Sequence, residues 1–407
     1  MHDPTPNSPD WHRRQHDRRA FLRGVAQTTG VMLAAPALLN WLSAQAAEAI
    51  GDPIIKNDLL VRSRRPIDLE TRLSDLTTWI TPNDRFFVRS HFDAARVDPA
   101  EWRLRIDGMV AQPLTLSLDQ IKAFEKHTVT AILQCAGNGR ALFRPNIAGA
   151  PWETGAVGNA RWTGARLVDV LKAAGIKPEA RHVWVHGADS PYSPTTPAFI
   201  RNLPCLKALH PDTLLAYEMN GEPLHYLHGA PLRVVAPGWL GNNWVKWVTN
   251  MTVSDRESDA FFYKTAYRYP NRPVKPGEAI APADMLPMEA MRIKSLITFP
   301  IAADPLPLKP VDVTGVAWTG ADARITQVEV STDRGKTWKL AELVGPDEPY
   351  AWRQWRYRWT PAAAGTHTLT ARATDTKGET QPVEPAWNPS GYHWNGYHLV
   401  DVQVQGT

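Results

Sequence analysis

The 407-residue chain is long enough for two or three domains, and with 43% hydrophobic and 21% charged residues it has the make-up of a globular protein that buries real cores. Its 45 basic and 41 acidic residues nearly balance, which excludes the concentrated basic surface that nucleic-acid binding needs. Its two cysteines, Cys135 and Cys205, exclude a disulfide scaffold and every CxxC zinc, iron–sulfur or c-type haem pattern, and two free thiols are expected over a Cys135–Cys205 bridge.

In chain order, the first 46 residues read as an address. Asp17-Arg18-Arg19-Ala20-Phe21-Leu22-Arg23 resembles the twin-arginine export motif; an apolar run from Val31 to Leu39 and the small residues Ala44-Gln45-Ala46-Ala47 follow, with cleavage expected after Ala46. An amphipathic first helix or a membrane anchor is the competing reading. The apolar run contains Pro36, however, and falls well short of the roughly 20 residues a spanning helix needs. A periplasmic protein without a membrane span is therefore expected. Because the twin-arginine route carries folded proteins, the signal also points to a cofactor inserted before export.

Residues 47–280 read as a mixed α+β region without regular βαβ alternation. The chain's 35 prolines and 17 tryptophans point to irregular connections clamped by large flat side chains. Short runs rich in β-branched and aromatic residues predict strands at Phe86–Val88, Trp102–Ile106, Val183–Val185, Arg233–Ala236 and Val245–Val253. Leu167–Ala174, closed by Gly175, predicts a helix, and Leu214–Leu224 a hairpin about Asn220-Gly221. From Tyr267 to Met291 the prolines 270, 273, 276, 282 and 287 mark a connecting seam.

Residues 281–407 read as all-β. Asp312–Trp318, Gln327–Thr332, Thr337–Leu343, Gln354–Trp359, Thr366–Asp375 and Tyr397–Gln405 are successive strand candidates. In one of them Trp355, Tyr357 and Trp359 alternate with Gln354, Arg356 and Arg358, the period of a strand with one buried face. Such a succession predicts an immunoglobulin-like sandwich.

The chemistry centres on Leu133-Gln134-Cys135-Ala136-Gly137-Asn138-Gly139-Arg140, where a strand-like run ends in a cysteine on a glycine-bearing turn. A lone cysteine is ordinarily a small buried hydrophobe. Here the flanking glycines let a bulky ligand approach the backbone, and Arg140 favours the thiolate, the form that ligates metals. With no second cysteine or HxxxH cluster nearby, a metal at Cys135 takes its other ligands from a cofactor.

From about Arg85 to the C-terminus the chain resembles the sulfite oxidase family. Cys135-Ala136-Gly137-Asn138 with Arg140 is similar to that family's molybdenum-binding turn, where the cysteine sulfur joins the two dithiolene sulfurs of molybdopterin. The resemblance implies a molybdopterin-binding domain followed by a dimerising immunoglobulin-like domain. It places pterin contacts at Phe87-Val88-Arg89-Ser90-His91, Asp189, His228, Arg233 and Trp244-Val245-Lys246. Those residue types suit the ligand: Arg233 and Lys246 offer a planar fork and a point charge to its phosphate, and His228 and Asp189 can address the polar ring edges. Taken singly, each also has an ordinary use in a loop hydrogen bond or a surface ion pair. By the same resemblance Arg89, Arg140, Trp152 and Tyr263 form the substrate pocket. The two guanidinium groups would hold an oxyanion, Trp152 would wall the cavity and Tyr263 would hydrogen-bond an oxygen of substrate or metal. Trp152 and Tyr263 read alternatively as core aromatics.

Two departures from the family matter. Animal members carry an N-terminal haem domain; no haem is expected in this chain, so electrons are expected to leave to a separate c-type cytochrome, with the chain a homodimer or paired with a cytochrome subunit. Animal members also bring an arginine from the C-terminal domain into the pocket, within Trp-Asn-x-Arg-Gly, where this chain has Trp387-Asn388-Pro389-Ser390-Gly391. The functional expectation is molybdenum-dependent oxidation of sulfite to sulfate, or of a related sulfur compound, by oxygen-atom transfer. Carrier-bound sulfane sulfur is the alternative substrate. A reductase of S-oxides is a further reading, disfavoured by the C-terminal sandwich, and an exported immunoglobulin-like binding module is the non-enzymatic one.

Overall fold

Among the described residues, short extended segments separated by turns predominate, with few helices. The computed structural model describes residues 58–407 apart from Ser190, Ala303, Ala321 and Thr407; the export-signal reading of residues 1–46 lies outside the described residues. Three strands come first, β1 (Leu60–Arg64), β2 (Ile67–Glu70) and β3 (Val88–Arg89), paired antiparallel in that order. β4 (Leu104–Gly108), β5 (Leu114–Leu116), helix α1 (Leu118–Lys122) and the long strands β6 (Lys126–Gln134) and β7 (Val157–Arg166) follow. Next are α2 (Leu167–Ala173), β8 (His182–Gly187), β9 (Ile200–Pro204), α3 (Cys205–Ala208), β10 (Leu214–Met219), β11 (Glu222–Pro223), β12 (Arg233–Val235), β13 (Val248–Ser254) and α4 (Phe261–Lys264). They form two five-stranded sheets. One runs β11-β10-β7-β6 with β12 on β10; the other runs β5-β4-β13-β8-β9, in which the β4–β13 pair is parallel.

Local chemistry explains several boundaries. α2 buries Leu167, Val170 and Leu171, spaced to share one helix face, and the chain turns away at Gly175 with φ +67°. Asn220 and Gly221, at φ 54° and 83°, make the tight turn between β10 and β11. α1 was not expected; its signal is the capping box Ser117-Leu118-Asp119-Gln120, in which the Ser117 hydroxyl accepts from the Gln120 amide and the Gln120 side chain accepts from the Ser117 amide. The run expected as one strand from Val245 begins only at Val248, because Trp247 adopts φ 50° and breaks the extended backbone.

The proline-rich seam holds a short hairpin, β14 (Arg268–Pro270) with β15 (Met285–Pro287). Beyond it lie β16 (Lys294–Phe299), β17 (Pro305–Pro307), β18 (Val311–Trp318), β19 (Ile325–Ser331), β20 (Lys339–Leu340), β21 (Glu342–Val344), β22 (Arg353–Trp359), β23 (Gly365–Asp375) and β24 (His398–Gln405). They stack as a sandwich of two sheets, β16-β18-β22-β21 and β17-β24-β23-β19-β20. The single strand expected at Thr337–Leu343 is two short ones that serve opposite sheets, β20 on β19 and β21 on β22.

In one sandwich sheet β16 and the end of β18 are buried on both faces, over Lys294 to Thr298 and Gly315 to Trp318. Ile297, Val313 and Ala317 point into the sandwich core, whereas Leu296, Val316 and Trp318 join the core of the preceding region. Because side chains alternate along a strand, Lys294 shares the outward face with Leu296 and is also buried. This face touches the cysteine turn: the Trp318 indole donates to the Gln134 side chain at 2.7 Å, one residue before Cys135. Among the described residues no helix is long and apolar enough to cross a membrane.

Candidate active site

The long hairpin of β6 and β7 ends in the turn that presents Cys135. The Cys135 amide donates to the Ala156 carbonyl at 2.9 Å, and the Asn138 amide returns to the Cys135 carbonyl at 3.0 Å, which closes the turn. Gly139, at φ +97°, packs against Trp394 so closely that a Cβ there would lie 2.7 Å from the tryptophan side chain. A Cβ on Gly137 would lie 2.7 Å from the Arg140 guanidinium, so the glycine is what allows Arg140 to fold back over the turn.

Cys135 stands between two adjoining cavities. The first, about 620 Å³ including its open mouth, is lined by Phe87, Val88, Arg89, His91, Cys135, Asp189, His228, Arg233, Trp244, Lys246 and Tyr267, among others. Its polar groups have few protein partners. Arg233 donates to the His228 carbonyl at 2.8 Å and the Trp244 carbonyl at 3.2 Å, lies over the Trp162 ring at 4.9 Å, and leaves its Nε buried without a partner. Lys246 donates to the Ser90 hydroxyl and the Leu227 carbonyl, each at 3.0 Å. Asp189 keeps Oδ2 buried and unpartnered.

Burial dominates the titration of these groups. It lowers Arg233 to about 9 and Lys246 to about 7, in the latter case against the pull of Asp189. It raises Asp189 to about 6, against Lys246, and drops His228 to about 3 with help from Arg233 and Lys246. Several cation-forming groups thus surround a space with little protein anion in it, and an anionic ligand there relieves the desolvation of Arg233 and Lys246.

The second cavity is lined by Arg89, Cys135, Arg140, Trp152, Tyr267, Ser390 and Tyr392, with Ala148, Gly149 and Ala150 at its edge. Arg89 pairs with buried Asp68 at 3.1 Å, while Arg140 donates Nε to the Ser390 carbonyl at 3.0 Å and Nη1 to the Ala150 carbonyl at 3.1 Å. The Trp152 indole N–H is buried without a partner. Burial pushes the Cys135 thiol up, with Arg89 and Arg140 pulling it down, so the thiolate expected from Arg140 alone needs a further cation at the sulfur.

Most of the residues singled out in the sequence converge here, with three exceptions. Tyr263 lines neither cavity; its hydroxyl donates to Glu257 at 2.9 Å and its ring lies under Arg201 at 5.3 Å. The tyrosine that lines both cavities with Cys135 is Tyr267, four residues on, which adopts φ 54° and whose hydroxyl meets His91 Nε2 at 2.5 Å. Val245 is buried behind the first cavity, its carbonyl accepting from the Val234 amide at 2.9 Å, and Ser90 acts through Lys246. Tyr267, Tyr392 and Asp68 were not anticipated. Neither the positive φ at Tyr267 nor the return of residues 388–393 to the cysteine turn leaves a pattern in local sequence.

Residues 91–262 match the oxidoreductase molybdopterin binding domain, and residues 286–405 match the Mo-co oxidoreductase dimerisation domain. The mitochondrial sulfite oxidase of Rattus norvegicus is 38% identical over 369 residues, 87% of this chain and 67% of the rat protein. The sulfite oxidase of Arabidopsis thaliana is 32% identical over 373 residues, 85% of this chain and 94% of the plant protein. The chain belongs to the sulfite oxidase family. A crystal structure of the sulfane dehydrogenase SoxCD from Paracoccus pantotrophus superposes with a TM-score of 0.73 at 30% identity, covering 84% of this chain and 88% of that one.

This member of the sulfite oxidase family is an oxidoreductase with a molybdopterin-binding domain and a β-sandwich dimerisation domain. The residues present fit molybdenum-bearing molybdopterin. The unpartnered Arg233 Nε and the ammonium of Lys246 suit its phosphate, the orphaned Asp189 Oδ2 and neutral His228 suit the ring's polar edges, and Cys135 would offer a single sulfur to its metal. Among the described residues no group of three or more His, Cys, Asp or Glu is gathered that could hold a metal ion.

Proposed function

We propose that this protein oxidises sulfite, or a closely related reduced sulfur compound, and passes the electrons to a separate c-type cytochrome in the periplasm after twin-arginine export, working as a dimer through its sandwich domain. The observation that carries the reading is the second cavity, where Arg89 and Arg140 flank Cys135 with Tyr267 and Trp152 beside them. When bound, the molybdenum cofactor supplies the oxygen-transfer and two-electron chemistry. The balanced reaction is sulfite plus water to sulfate, two electrons and two protons.

The protein's own part is binding and orientation. Arg89 and Arg140 hold the oxyanion; both keep guanidinium hydrogens beyond those engaged by Asp68 and the Ser90 carbonyl on Arg89 and by the Ser390 and Ala150 carbonyls on Arg140. Tyr267, whose pKa burial pushes well above the ordinary phenol value, stays protonated and presents its hydroxyl between His91 and the cavity. Trp152, fully buried, limits water at the reacting sulfur.

The experiment is steady-state reduction of cytochrome c, and of ferricyanide, by molybdenum-loaded protein with sulfite. Sulfite-dependent reduction is expected; full molybdenum loading with no sulfite-dependent reduction of either acceptor would sink the reading. A carrier-bound sulfane sulfur is the second reading, favoured by Ser390, whose position beside Arg140 leaves out the third cation expected from animal relatives.

A further inference from the structure

The wall of the second cavity contributed by the C-terminal region has a construction that the oxyanion reading does not explain. Residues 388–393 return from the sandwich to the cysteine turn, and Asn388 brackets Tyr392, its side chain accepting from the Tyr392 amide at 3.0 Å and donating to the Tyr392 carbonyl at 2.8 Å. The His393 amide then donates to the Ala136 carbonyl at 3.2 Å, next to Cys135. Held this way, the Tyr392 ring stacks face to face on Tyr267, with centroids 5.4 Å apart and planes at 11°. Arg140 lies over Tyr392 itself, 5.3 Å from its ring centroid, and Arg201 lies 5.4 Å from the Tyr267 centroid. Gly391, at φ +63°, lets the backbone close on Arg140, where a Cβ would lie 2.7 Å from its Cγ.

We infer that Tyr392 is a positioning residue of the oxyanion pocket, its ring fixing the Arg140 guanidinium against the Ser390 carbonyl and coupling it to Tyr267. A free arginine side chain loses considerable rotamer freedom when it grips a small anion. Here the stack and the two carbonyl contacts restrict Arg140 before substrate arrives, so less ordering remains to be done on binding. The ring also supplies a desolvated face to the cation, and such contacts are worth more in a buried setting than at a surface. The role belongs to the ring, since Asn388 engages the Tyr392 backbone and the contacts to Tyr267 and Arg140 are made by the aromatic face.

The inference rests on the oxyanion reading of the cavity, and sulfate binding tests the two separately. Calorimetric titration of sulfate into the molybdenum-loaded protein gives a Kd for wild type, and steady-state kinetics gives KM and kcat for sulfite. Tyr392→Leu should raise both the sulfate Kd and the sulfite KM by roughly tenfold, as expected for loss of a buried cation–π contact, with kcat within about twofold. Tyr392→Phe, which keeps the ring, should bring the affinity back to within about twofold of wild type. In an Arg140→Gln background, Tyr392→Leu should add little further loss, because a residue acting through Arg140 has nothing left to position. Unchanged sulfate affinity in Tyr392→Leu with full molybdenum content, or losses that simply add in the double variant, would overturn the inference while leaving the oxyanion reading intact. Failure of wild-type protein to bind sulfate or turn over sulfite would overturn the oxyanion reading itself, and the inference with it.

Discussion

Replacing Lys294 by methionine should make the protein more stable and less active. Lys294 is 1% exposed; its ammonium donates to the Asn138 carbonyl at 3.4 Å and lies 4.8 Å and 5.8 Å from the rings of Trp394 and Trp318. Burial pulls its pKa from 10.5 to about 7, opposed by the attraction of Glu70. A displacement of that size corresponds to roughly 5 kcal/mol of disfavoured charging. Relaxation around a real buried charge reduces this, and replacing buried charges by well-packed apolar groups typically gains about 1–4 kcal/mol. Between the folded and unfolded pKa values the unfolded chain still holds the proton that the folded chain has released. The stability of wild type from this group therefore rises with pH across the window from about 7 to 10.5 and is flat below it. Methionine removes that slope. The variant should be more stable by about 1–4 kcal/mol near pH 7 and below, with the advantage fading toward pH 10. Its turnover should fall, because the Asn138 carbonyl in the cysteine turn loses its donor. Urea unfolding of both proteins at several pH values, read by tryptophan fluorescence, measures the difference. A displacement between the two proteins that stays constant with pH would refute the assignment of a strained buried ammonium.

Cys135→Ser should abolish activity and lower molybdenum content with the circular dichroism spectrum unchanged, since a serine oxygen is a harder and far less acidic ligand; a variant that retains metal and turnover would remove Cys135 as the ligand. Cys205→Ser, at a half-buried position at the start of α3, should leave turnover within about twofold. Tyr267→Phe should lower kcat by roughly tenfold or more, whereas Tyr263→Phe, which loses only a bond to Glu257, should change it by less than about twofold. The reverse order in stopped-flow kinetics would return the role to Tyr263. Arg140→Gln should raise the KM for sulfite about tenfold or more, as one charge-assisted contact is worth roughly 1.5–3 kcal/mol; an unchanged KM would take Arg140 out of the oxyanion site.

Much of the architecture was legible because it is written in local periodicity. The alternation of Trp355, Tyr357 and Trp359 on β22, the helix stopped at Gly175 and the turn at Asn220-Gly221 each depend on neighbours in sequence. The cysteine turn was legible for the same reason, since Cys135, the glycines and Arg140 lie within one short segment and their spacing carries the chemistry. The family resemblance extended that reading to Asp189, His228, Arg233 and Lys246, which the fold gathers around one cavity. What only the tertiary structure decided is which of two nearby tyrosines lines the cavities beside the cysteine turn, and that residues 388–393 come back to close the site. Tyr263 and Tyr267 are equally plausible as letters; a positive φ at Tyr267 and the partnership of Tyr263 with Glu257 separate them. The stack of Tyr392 on Tyr267 and the burial of Lys294 beside Asn138 join positions more than a hundred residues apart. Contacts of that range depend on how the sheet carrying β16 and β18 packs against the cysteine turn, and packing of distant surfaces has no period along the chain from which it can be read.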